Sequence, residues 1–128
     1  MSNLIQVNNQ LSTVRQKRSE LSLMLKKVVI KLSREEFEVI ESLIMLWVNS
    51  KKCESLEEKA LYVLIFVNLY KNRIMPHILK VNQKITLNLT IPEAYSLNCV
   101  LSDIDLVYWL YEQSICNRIM AEIHKQTV

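Results

Sequence analysis

Lys27–Phe37 reads KVVIKLSREEF, and Lys84–Ala94 reads KITLNLTIPEA. The offset between them, 84 minus 27, is 57 residues, and it aligns Lys27 with Lys84, Val28 with Ile85, Ile30 with Leu87, Leu32 with Leu89, Ser33 with Thr90 and Glu36 with Glu93. Each copy begins with the alternation of a half-buried strand. In the first, Val28, Ile30 and Leu32 share one face and Lys27, Val29 and Lys31 the other. In the second, Ile85–Leu89 puts Thr86 and Asn88 on its polar face. A hydroxyl residue and a glutamate three positions later then predict a capping box. The hydroxyl accepts from the N3 amide, and the carboxylate accepts from the cap amide. Such a cap stabilises a helix by about 1 kcal/mol. Leu32 and Phe37 stand at the two positions of a hydrophobic staple.

Working outward, Phe37, Ile40, Ile44 and Trp47 predict a helix to about Val48, with Glu35, Glu38 and Glu41 on its wet face. Asn49–Glu54 is a loop, and Ser55 with Glu58 opens another capped helix through about Asn72. Ala60–Tyr70 is apolar nearly all round, the pattern of a helix buried on most sides. Pro76 makes Met75–Gln83 a connector, with one helical turn at His77–Val81. Beyond Thr90, Ala94, Leu97, Leu101, Ile104, Tyr108, Tyr111 and Ile115 keep a three-four spacing that predicts one long, heptad-like helix to about His124. Ser102–Asp105 is its one candidate break. Residues 1–10 are polar and expected to fray. From Gln10, the residues Leu11, Val14, Leu21 and Leu25 predict an amphipathic helix to about Lys26, with a strand through Leu21, Leu23 and Leu25 as the alternative. The expected fold is α+β and mostly helical. It is one domain over residues 1–128, with about four helices, a two-stranded antiparallel ribbon, and strand–helix units at 27–80 and 84–124.

The chain has no glycine in 128 residues. That excludes a P-loop, a G-x-G-x-x-G turn and a nucleophile elbow, and leaves Asn49, Asn72 and Asn82 as candidates to end helices in place of glycine. Cys53, Cys99 and Cys116 are odd in number and form no C-x-x-C, so neither zinc nor a disulfide framework is expected, and a reducing, cytoplasmic setting is. MSNLIQVNNQ lacks a secretory pattern, and Ala60–Tyr70 is too short to cross a bilayer. His77 and His124 have no second ligand near them, and Cys116 lies too far round the helix from His124 to form a pair. The acids of residues 35–41 read as a solvated helix face. Trp47, Trp109, Tyr108 and Tyr111 fall on apolar spacings that suit a core or interface better than base stacking. No catalytic constellation, cofactor site, metal site, small-molecule substrate or membrane partner is expected.

Net charge is +3, unevenly spread. Residues 1–34 hold seven bases and one acid, which is +6, and the rest carries −3. The leading expectation is a small non-catalytic protein that works through protein–protein contact or self-assembly, suggested by the apolar final helix. The alternative comes from the strand with Lys27, Val29 and Lys31 outward, preceded by Arg15, Lys17 and Arg18 and followed by two capped helices. This arrangement resembles the ribbon-helix-helix family of DNA-binding proteins over residues 27–72 and, more weakly, 84–124. The resemblance implies that Lys27–Leu32 and Ile85–Leu89 pair antiparallel and enter the major groove. Lys27, Val29, Lys31, Thr86 and Asn88 would face bases, with the basic segment at Arg15, Lys17 and Arg18 nearby and the Ser55 helix start clamping a phosphate. Against it stands the plain reading of a ribbon packed on helices, its lysines merely solvated at an edge.

Overall fold

The computed structural model describes residues 10–18, 25–51, 53–80 and 83–128. Helix α1 covers 10–18. Strand β1 (Val28–Ser33) leads into α2 (Arg34–Ser50), then α3 (Leu56–Val63), a π-helical segment (Leu64–Ile74) and α4 (Met75–Ile78). Strand β2 (Lys84–Leu89) leads into α5 (Ile91–Asp103) and α6 (Leu110–Thr127). The expectations for residues 1–9 and for 19–24 lie outside the described residues.

The two strands pair antiparallel, with Val28 opposite Leu89, Ile30 opposite Leu87 and Leu32 opposite Ile85. All six of these side chains are buried, and the helices close over them with Phe37, Ile40, Ile44, Ile65, Leu69, Leu97 and Ile119. Burial of one face fixes the register, because a slip of one residue would turn all six outward. β1 packs against α6, and β2 against the π-helical segment, so each strand is covered by a helix belonging to the other half of the chain.

All three capping boxes form: Ser33 with Glu36, Ser55 with Glu58, and Thr90 with Glu93. Two of the three glutamates do a second job. Glu93, almost fully buried, pairs with Arg73, and Glu36 pairs with Arg118. Burial pushes both carboxyls up, but the arginines and the cap hydrogen bonds together outweigh it, so both titrate below the ordinary 4.5.

Helix ends are closed without glycine and without any residue at positive φ among those described. This corrects the role expected of the asparagines: Asn49 lies inside α2 and Asn72 inside the π-helical segment, while Asn82 lies outside the described residues. Extended backbone at Lys51 and Ile104 ends α2 and α5 instead. Arg34 takes over at α4. Its guanidinium donates to the carbonyls of His77 (2.8 Å) and Ile78 (2.7 Å), in the last turn of α4, and of Lys80 (2.9 Å), just beyond it. At the far ends of α2 and α5, Asp103 accepts from Trp47 Nε1 (2.9 Å) and pairs with Lys51 (2.7 Å).

Three expectations need correction. The final helix is two, because the chain leaves helical geometry over 104–109. There the Asp105 carboxylate accepts from the Val107 amide and the Trp109 amide donates to Leu106. That turn lets α6 fold back over β1, a cover that a single rod would not supply. The helix after Ser55 runs on through Pro76: the Met75 amide reaches five residues back to Tyr70, and this wider turn eases the clash of a proline ring with the preceding turn. The same helix is not buried on most sides. α3 buries no residue, and Leu56, Leu61, Val63 and Val67 are exposed.

Two stability predictions follow from the paired glutamates. Arg73→Ala leaves a buried carboxylate without its partner and should cost about 2–3 kcal/mol in urea unfolding, much of it recovered in the Arg73→Ala/Glu93→Gln double variant. Both carboxyls have depressed folded-state pKa values, so their contribution is complete above the ordinary glutamate range and is lost as pH falls through the folded values. A Tm series in falling pH should therefore drop below about pH 4.5, and drop less in Glu93→Gln.

Candidate nucleic-acid interface

The alternation that buries one ribbon face aims the other outward. On it Lys31 stands opposite Thr86, Val29 opposite Asn88, and Ser33 opposite Lys84. Lys31, Thr86, Asn88 and Lys84 are exposed and Val29 is half-buried; Lys27, immediately before β1, is exposed as well. The outward face is thus a central block of Lys31, Thr86, Val29 and Asn88, with Lys84 beyond one end and Lys27 beyond the other. Ser33 does not join it, because its hydroxyl is committed to the Glu36 amide (3.2 Å). Successive outward side chains on a strand stand about 7 Å apart and the strands about 5 Å apart, dimensions that a major groove about 12 Å wide admits.

The ribbon is held firmly. The Gln126 side chain accepts from the Val29 amide (2.8 Å) and donates to its carbonyl (2.7 Å), as a neighbouring strand would, and so closes the outer edge of β1 at that point. The Arg34 amide donates to the Gln83 carbonyl (2.8 Å), fastening the other end.

The five residues named for the groove thus share one exposed face. Lys84 completes it and was missed as a site residue, although its alignment with Lys27 was the available signal. Arg15, Lys17 and Arg18 lie on α1, which is exposed at every position, and are not part of the ribbon. The Ser55 helix start is poorly suited to a phosphate. The Glu54 amide (2.8 Å) donates to the Glu58 carboxylate, as does the Ser55 amide, and the Glu58 amide (3.1 Å) donates to the Ser55 hydroxyl, so these three amides are engaged, and Glu57 and Glu58 place negative charge in the first turn.

A second surface lies where the final helix breaks. Val107, Tyr108, Trp109, Leu110 and Tyr111 are all exposed, Tyr108 by 93%. Of the four aromatics expected in a core or interface, only Trp47 is buried. Beside Trp109 runs a groove of about 510 Å³ lined by Val39, Leu43, Leu46 and Leu106 and rimmed by Glu38, Asp105 and Glu112. Cys116 is buried, which pushes its thiol up to about 11, so it stays protonated and unreactive. Among the described residues no cluster of His, Cys, Asp and Glu could hold a metal, and no helix is long and apolar enough to cross a membrane. Compared with known proteins, the chain matches no family model, no curated protein and no solved structure.

Proposed function

We propose that this protein binds duplex DNA through the outward face of the β1–β2 ribbon, with one chain supplying both strands, and that it acts by binding rather than catalysis. The observation that carries the reading is the outward block itself: Lys31, Thr86, Val29 and Asn88 on one face, lysines beyond both ends, and the reverse face wholly in the core. Such a face offers hydrogen-bond donors and acceptors and an apolar contact without any rearrangement of the fold.

The internal correspondence supports it. Residues 57 apart are equivalent in the alignment, and Ile30 pairs with Leu87, its own equivalent. A self-paired position of this kind is what a two-fold relation between the strands requires. The equivalent residues Glu36 and Glu93 are each held by an arginine from the second helical stretch of the opposite half, Arg118 and Arg73. A duplex has local two-fold symmetry, so a two-fold ribbon presents comparable groups to both strands.

The test is a fluorescence-anisotropy titration of labelled duplex at several salt concentrations. Affinity should fall steeply with added salt, and Lys27→Ala/Lys84→Ala, which removes the outermost charges, should weaken binding and flatten the slope by about 2, one unit for each lost phosphate-neutralising charge. Absence of binding at low salt ends the proposal.

A second reading, protein–protein assembly, is favoured by the exposed run from Val107 to Tyr111 beside an acid-rimmed apolar groove. Light scattering should then show concentration-dependent self-association that Tyr108→Ala/Trp109→Ala removes. A strict monomer at high concentration would count against it.

A further inference from the structure

Resting on the DNA-binding reading, we infer that the preferred target is an imperfect palindrome, with guanine at one position of one half-site and adenine at the equivalent position of the other. The two halves of the ribbon face are equivalent in place and unequal in chemistry. With Ile30 and Leu87 paired at the centre, Lys27 corresponds to Lys84, Val29 to Thr86 and Lys31 to Asn88. The first pair is identical, and its members lie outermost, where a charge serves either half alike. The second pair is matched in shape: both side chains are β-branched and offer a methyl group suited to a thymine methyl.

The third pair differs. Lys31 has donors alone and matches the O6 and N7 acceptors of guanine. Asn88 has a donor and an acceptor on one amide and matches the N7 and N6 of adenine. Both are exposed, on opposite strands and on opposite sides of the central pair. As diagonal neighbours they stand about 7–8 Å apart, roughly the rise of two base pairs. Two identical chains pairing their strands would require the same base preference in both halves. One chain supplying both strands carries no such requirement, and this chain departs from two-fold chemistry most at Lys31 and Asn88, the Thr86 hydroxyl being the lesser difference from Val29.

The test is selection of binding sites from a random duplex library with the full-length protein, followed by sequencing. The wild type should return an imperfect palindrome with guanine and adenine at the corresponding positions. Asn88→Lys should return guanine in both halves, and Lys31→Asn adenine in both. Each variant should bind the wild-type site about tenfold or more weakly and its own symmetric site more tightly. Both positions are on the exposed face, and an unchanged Tm would confirm that each variant folds. A strictly palindromic wild-type site, or a motif that neither variant alters while salt-dependent binding persists, overturns the inference and leaves the DNA-binding reading standing. Loss of all salt-dependent duplex binding by the wild type overturns both.

Discussion

The antiparallel pairing of Val28–Ser33 with Lys84–Leu89 is the contact on which the remaining structure depends. A two-stranded ribbon is marginal by itself in water and becomes stable only when one face is covered. Here six aliphatic side chains on one face draw in helices from both halves of the chain. The alternation that buries them leaves Lys31, Thr86, Lys84 and Asn88 outward by the same geometry. Core and candidate interface are two consequences of one period-two pattern, so the interface cannot shift register without undoing the core.

Around that ribbon the halves are interlocked rather than side by side. β1 is covered by α6 and β2 by the π-helical segment, and the cap glutamate beginning each half's first long helix is paired with an arginine from the other half. Glu36 and Glu93 therefore join a local event, starting a helix, to a long-range one, docking the opposite half. The absence of glycine has its own structural answer. Where an αL residue would turn the chain, Arg34 bonds two carbonyls in the last turn of α4 and a third just beyond it, and α2 and α5 end in extended backbone. A side chain reaching across the fold does what a backbone conformation usually does locally.

Much of the ribbon was legible in advance because its signals are short-range. The phase of Val28, Ile30 and Leu32, the outward direction of Lys31, Thr86 and Asn88, and all three capping boxes follow from spacings of two and three residues. Legibility ends where an apolar spacing has to be assigned to a partner. Ile104, Tyr108 and Tyr111 continue the helical period of α5, yet the Asp105 turn interrupts it and Tyr108 and Tyr111 face solvent. Ala60–Tyr70 is apolar nearly all round, but only part of it is covered. Periodicity states which residues could share a face and says nothing about what will cover it.

The sequence by itself determined the two strands, which of their faces is apolar, where three helices begin, and the lack of glycine-dependent phosphate or acyl-transfer motifs, since each depends on neighbours within one turn or one pleat. Tertiary structure alone decided that the final apolar stretch folds back as two helices, that Arg73 and Arg118 answer the glutamates of the opposite half, and that Gln126 closes the edge of β1. Those choices bring together residues 20 to 97 positions apart, and the physical reason for them is burial of the ribbon's inner face, which no local spacing encodes.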